Sequence, residues 1–233
     1  MHYHASDTGM RLSVARHLSA FRKAVSKLET YYRDFPTRPP TPPRGELFPY
    51  PSTFTPLIDK TLQKFDYTKR VDKLLFLGRL PDERTICIKF VRRYSEEAHK
   101  CCDQLGFAPR LLGFQRLFGG WFMVVMDWLD SDEWRRLDEI KITRKDIDAL
   151  KTNISQLHQK GYGHGDLRAT NILVSKSDPK RYMIVDFDWA GKLGTVRYPM
   201  NVNRVEIWRP DDAVDEELIQ AEHDMSMLGH MAL

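Results

Sequence analysis

The sequence predicts an α+β fold in two lobes, the first rich in strands and the second led by a helix. Two observations carry that reading. Apolar runs of strand length crowd the stretch from 73 to 128, as KLLFLG, TICIKFV and WFMVVMDW. From 143 to 160 the pattern turns helical, with Ile147, Leu150, Ile154 and Leu157 on one face.

Along the chain, residues 10–32 place Val14, Leu18, Phe21, Val25, Leu28 and Tyr32 at spacings of three and four, one apolar stripe on a helix. Arg16, Arg22, Lys23 and Lys27 make the rest of it basic. The stripe suits packing on the body of the protein, or alternatively a membrane surface, a targeting role or a partner. Residues 36–56 hold eight of the thirteen prolines, an extended linker. Within it Pro39, Pro42 and Arg44 fit an SH3-type ligand pattern. A polar helix is expected near 95–105, stopped by Gly106, and Gly161 closes the helix of the second half. NILVS at 171–175 and YMIVDF at 182–187 read as further strands. The domains expected are a basic amphipathic helix at 1–35, the linker at 36–56, a strand-rich lobe at 57–127 and a short helical lobe at 128–233.

With 42% hydrophobic and 29% charged residues the composition is that of a globular protein, and no apolar run is long enough to cross a bilayer. Three cysteines, two of them adjacent, make neither a disulfide framework nor a zinc site. The polar start MHYHASDTG is not a secretory signal, so cytoplasmic or nuclear residence is expected. Residues 205–233 carry eight carboxylates against a single arginine, a balance of −7 that leaves +11 elsewhere in a chain of formal charge +4. That basic remainder suits phosphates of a nucleotide; nucleic acid is not expected.

The chemistry concentrates in HGDLRATN at 164–171 and VDFD at 185–188. An aspartate in a loop after a helix, an asparagine five residues on and an aspartate at the end of a strand offer a base and hard oxygen ligands, the set that Mg²⁺-nucleotide phosphoryl transfer requires.

Over about residues 60–230 these motifs resemble the protein-kinase superfamily. Its catalytic-loop pattern matches His164, Asp166 and Asn171, and its metal-binding pattern matches Asp186 and Phe187. The resemblance implies an ATP- and Mg²⁺-dependent phosphotransferase of bilobal fold with a shortened helical C-lobe. Asp166 would orient and deprotonate an acceptor hydroxyl on a protein Ser/Thr or a small molecule. Asn171 and Asp186, with Asp188 beside them, would hold Mg²⁺. Arg168 would stand near the transferred phosphate. ICIK at 86–89 makes Lys89 the candidate phosphate ligand, and strand alternation sets Cys87 and Lys89 on the face opposite Ile86, Ile88 and Phe90. Either Glu97, the preferred candidate, or Glu96 would pair with Lys89. Cys87, Met126, Asp127, Leu129 and Leu173 would surround the base. Asp224 would brace the catalytic loop, as would His164.

Four departures qualify that likeness. No glycine occurs between Gly45 and Gly78, so the glycine-rich phosphate loop is missing. Gly165 replaces the arginine that would receive an activation-loop phosphate. DFG has become DFD, and no APE motif lies between Asp186 and Asp224. The pattern is closer to small-molecule kinases of the aminoglycoside or choline type, and to short fungal kinase-like proteins with HGDLR and DFDWAG, than to regulated protein kinases. A pseudokinase serving as an interaction module is the alternative, and self-association could cover apolar surface on the short second lobe.

Overall fold

A computed structural model of the chain describes residues 8–33, 48–49 and 51–231. Most of the proline-rich stretch, with Pro39, Pro42 and Arg44, lies outside the described residues. Two units result, one ending at Leu47 and the other beginning at Phe48.

The first unit contributes α1 (Thr8–Arg33), which begins two residues before the apolar stripe, and none of its residues is buried. Leu18 and Phe21 are 64% and 69% exposed.

The second unit opens with β1 (Thr53–Phe54), antiparallel to β2 (Gln63–Lys64). Phe54 is buried, so the linker expected through residue 56 yields to the folded body before that point. An aromatic ring cannot be shed to solvent without losing the burial that drives folding, and this proline-flanked segment supplies one.

A five-stranded antiparallel sheet follows, in the order β3-β4-β5-β7-β6. Its strands are β3 (Asp66–Asp72), β4 (Leu75–Arg79), β5 (Thr85–Val91), β6 (Leu111–Arg116) and β7 (Phe122–Asp127). The two faces of β5 part as alternation requires. Ile86, Ile88 and Phe90 join Phe54, Phe65 and Phe76 in one core, while Cys87 and Val91 join Leu111, Val124 and Met126 in another. Strand β3 has no apolar alternation and is mostly exposed; it is an edge strand held by its ladder to β4, which pattern reading does not detect.

Helix α2 (Glu96–Gln104) lies between β5 and β6 and is capped by Ser95, whose hydroxyl accepts from Ala98 N. Its buried residues are Ala98, His99 and Cys102, and two of these, Ala98 and Cys102, belong to the core of the second lobe. That core is built on α3 (Arg144–Gln159), whose expected stripe Ile147, Leu150, Ile154 and Leu157 is fully buried and whose start is fixed by a Thr143/Asp146 capping box. Around it lie β8 (Trp134–Arg136), β9 (Tyr162–Gly163), β10 (Ile172–Ser175), β11 (Tyr182–Ile184), β12 (Gly191–Lys192) and α4 (Ala221–His230). Strands β8, β10 and β11 form one small antiparallel sheet, and β9 pairs with β12. The mixed α+β architecture has a strand-rich lobe and a helix-centred lobe.

Candidate active site

Two short loops in the second lobe carry the acidic groups. The first runs from β9 to β10 and holds His164 to Asn171; the second follows β11 and holds Asp186 to Asp188. A backbone hydrogen bond joins them, Val185 N to Asn171 O at 3.0 Å, and His164 Nε2 donates to Val185 O at 3.2 Å.

Asp224, in the first turn of α4, sets the shape of the first loop. Its Oδ2 accepts from His164 N at 2.8 Å and from His158 Nε2 at 2.9 Å, and its Oδ1 accepts from Gly165 N at 2.8 Å. The carboxylate is 1% exposed, and these three donors satisfy it. Gly165 adopts φ +80°, and a Cβ there would stand 2.6 Å from Ile219 Cδ1. Backbone conformation and space therefore both demand the glycine that replaces the family's arginine. His164 is fully buried, donates through Nε2 and accepts from Asp166 N through Nδ1. It is a brace for the loop.

Asp166 is held by three residues. Asn171 Nδ2 donates to Oδ2 and to the backbone carbonyl, each at 3.0 Å. Arg168 Nε lies 3.2 Å from Oδ2 as an ion pair without a hydrogen bond. Arg209 Nη2 donates to Oδ1 at 2.5 Å. The sequence puts Asn171 forward as a metal ligand and Arg168 as a neighbour of the transferred phosphate, and the structure sets both against Asp166; Arg209 is a residue the sequence does not suggest. One signal was available: Arg209 is the single cation among the eight carboxylates of 205–233.

Lys89 enters from β5. Its Nζ is 2.8 Å from Asp186 Oδ1 and 2.6 Å from Asp188 Oδ1. Burial works to lower the ammonium's pKa, yet the two carboxylates outweigh it and hold Lys89 above its ordinary value. Burial would raise Asp186, and the charge of Lys89 overrides that and keeps it below the usual carboxylate range. Asp188 goes the other way: burial, reinforced by the negative charge of Asp186, pushes it up to about 7. Asp186 itself sits at φ +71°, which turns the chain sharply as it leaves β11.

The expected pairing of Lys89 with Glu97 or Glu96 is not found. Glu96 binds Lys100 at 2.5 Å, and Glu97 is exposed. The reason is helical register. With Ser95 as cap, both glutamates fall in the first turn of α2, and its inward face carries Ala98, His99 and Cys102. His99 fills the place nearest the second loop. Its ring stacks on Phe187 with centroids 4.6 Å apart and planes within 7°. Pro109 O can only accept, so His99 Nε2 carries the proton at 2.8 Å and Nδ1 receives Tyr94 Oη–H at 2.6 Å. Burial drives the His99 pKa down to about 4, so the ring is neutral. Ser95 N donates to Phe187 O at 3.1 Å, which ties α2 to the Asp-Phe-Asp turn by backbone instead of by an ion pair.

Residues expected to surround a base divide into two groups. Cys87 and Met126 are cross-strand partners in the core between β5 and β7, and burial pushes the Cys87 thiol up to about 12. Asp127 N is taken by Arg110 O at 3.0 Å. Leu129 and Leu173 are half-buried, with Leu173 in β10 opposite Arg136 and Met183. Where the glycine-rich loop would be, β3 turns directly into β4 through Lys73 and Leu74, and Arg70 donates to the carbonyls of Asp72 and Lys73.

Residues 125–198 match the lipopolysaccharide kinase (Kdo/WaaP) family. The chain is 27% identical over 103 residues to the B1 kinase of monkeypox virus, covering 41% of this chain and 34% of that protein. It thus spans about a third of the length of that curated relative. Among solved structures it is similar to the Cydia pomonella granulovirus kinase PK-1, with TM-score 0.60, 18% identity and coverage of 72% of this chain and 66% of that one. It is also similar to vaccinia related kinase 3, with TM-score 0.53, 16% identity and coverage of 82% and 69%. The fold is that of a protein-kinase-like protein, and no described helix is long and apolar enough to cross a membrane.

Proposed function

We propose that this kinase-like chain is an ATP- and Mg²⁺-dependent phosphotransferase that moves the γ-phosphoryl group to a hydroxyl of a protein or small molecule. The observation that carries it is the joining of Asp166, Asn171, Asp186, Asp188 and Lys89 through two hydrogen-bonded loops and one strand.

The donor set suits a hard cation. Asn171 spends its Nδ2 on Asp166, so its side-chain carbonyl is the group that can meet a metal, beside the carboxylates of Asp186 and Asp188. Mg²⁺ bound there would supply charge neutralisation to the nucleotide phosphates. Lys89, held protonated by its two carboxylates, adds a second positive charge for the phosphates. Backbone groups at 127–129 and the side chains of Cys87, Met126 and Leu173 form the expected base site.

In the transfer, the acceptor oxygen forms a bond to the γ-phosphorus while the bond from that phosphorus to the β–γ bridging oxygen breaks, its electron pair leaving with ADP. Asp166 receives the hydroxyl hydrogen bond and then the proton. Arg168, 38% exposed and beside Asp166, offers positive charge to the moving group.

One observation favours a second reading, a pseudokinase module: the β3–β4 turn lacks the glycines that let backbone amides approach phosphates. Thermal-shift titration of the wild type and Asp186→Asn with ATP, with and without Mg²⁺, separates the two. A saturable, Mg²⁺-dependent rise that the variant loses supports the enzyme; no shift in the wild type overturns it.

A further inference from the structure

We infer that Arg209 is a positioning residue for the transfer, clamping the Asp166 carboxylate in its working orientation; this rests on the reading of Asp166 as the acceptor-binding group.

An aspartate carboxylate turns about a broad, roughly two-fold torsion, so a single donor does not hold its plane. Asp166 has donors on both oxygens: Asn171 Nδ2 on Oδ2 at 3.0 Å and Arg209 Nη2 on Oδ1 at 2.5 Å. A carboxylate offers about four lone-pair positions. These two hydrogen bonds fix the plane; Arg168 Nε also stands 3.2 Å from Oδ2, so Oδ1 keeps the freer position for an acceptor hydroxyl.

The guanidinium is itself immobilised on every side. Its side chain is 1% exposed, the one buried arginine among the described residues. Nη1 donates to Gly165 O at 3.3 Å and lies 3.9 Å from Met227 Sδ, Nε donates to Asn203 O at 3.2 Å, and the group stands 4.6 Å from the Trp189 ring centroid. Its neighbour Trp208 stacks on His230 of α4 at 4.1 Å, anchoring the segment that delivers it. Such a site has no room for a phosphate or other anion to reach the guanidinium, so Arg209 acts through Asp166 and not on substrate. Both partners are buried, so each neutralises a charge that the interior would otherwise expel.

The test uses the full chain as wild type, Arg209→Met, Arg209→Lys, Asp166→Asn and the Arg209→Met/Asp166→Asn double variant. Phosphate release from Mg²⁺-ATP, with water as acceptor, is read alongside thermal unfolding. Arg209→Met is expected to lower kcat about 10–100-fold with the KM for ATP changed less than about threefold, and Arg209→Lys to recover part of the loss. In the Asp166→Asn background Arg209→Met should lower kcat no further, and the double variant should melt above Arg209→Met, because removing the carboxylate's charge relieves the unpaired group. Wild-type turnover in Arg209→Met, an equal fold-loss in both backgrounds, or additive melting losses would each overturn the inference. A wild type with neither turnover nor an Mg²⁺-ATP thermal shift would overturn the proposed function itself, and the positioning role of Arg209 with it, while the melting cycle still decides the clamp on Asp166.

Discussion

Lys89 Nζ stands 2.6 Å from Oδ1 of Asp188, a residue ninety-nine positions along the chain and raised to about 7 by burial and by the charge of Asp186. One ammonium thus faces two carboxylates, and only one of them is fully compensated.

That imbalance has a stability consequence whose sign follows from linkage. Asp188 holds its proton in the folded state up to about pH 7 but loses it near 3.8 when unfolded, so the folded state binds more protons between those values and stability falls as pH rises through them. Asp188→Asn should therefore stabilise the protein by on the order of 1–2 kcal/mol at pH 8 and by little at pH 4. Chemical denaturation at the two pH values measures this. Equal gains at both would show that the carboxylate is not strained.

His99 behaves oppositely. Its folded pKa near 4 lies below the ordinary 6.5, so its contribution is complete above about pH 6.5 and is lost as pH falls toward 4, where the unfolded chain takes up the proton. Between pH 7.5 and pH 5 the wild type should lose about 2 kcal/mol more than His99→Gln, which keeps the partners of Tyr94 and Pro109 within reach without titrating. Matching pH profiles for the two proteins would remove His99 from the acid response.

Asp224 braces the loop that holds Asp166. Replacing it with Asn puts an amide where three donors converge and should cost about 2–4 kcal/mol, since hydrogen bonds to a buried charged group are the expensive ones to lose. Urea unfolding gives the number. A cost below about 0.5 kcal/mol would mean that α4 does not hold the loop.

Asp166→Asn should slow phosphoryl transfer by about 10²–10⁴ while leaving ATP binding intact, as for loss of a positioned base. Single-turnover rates and the Mg²⁺-dependent thermal shift report the two properties separately. An unchanged rate would strip Asp166 of its role.

Much of the fold was legible because it follows from local periodicity. The stripe Ile147, Leu150, Ile154 and Leu157 is buried as spacing requires, and the alternation in 86–90 separates Cys87 from Ile86, Ile88 and Phe90. Strand β3 was not legible: an edge strand with DYTKRVD has no apolar face to announce it. Phe54 falls in the stretch that composition assigns to the linker, because the prolines around it outweigh one aromatic ring, although that ring is 1% exposed.

In the candidate site, spacing alone determined which residue types cluster: Asp166 with Asn171 five positions on, and two aspartates flanking Phe187. Their pairings were decided in three dimensions. The start of α2 at its Ser95 cap turns Glu97 to solvent and leaves His99 stacked on Phe187, so Lys89 finds its carboxylates across the loops instead of on the helix. Arg209 reaches Asp166 from forty-three positions away because a segment anchored on α4 carries it there. Periodicity and spacing are properties of neighbours along the chain. A buried charge instead takes whichever opposite charge the packing brings within reach, and only the tertiary structure decides which one that is.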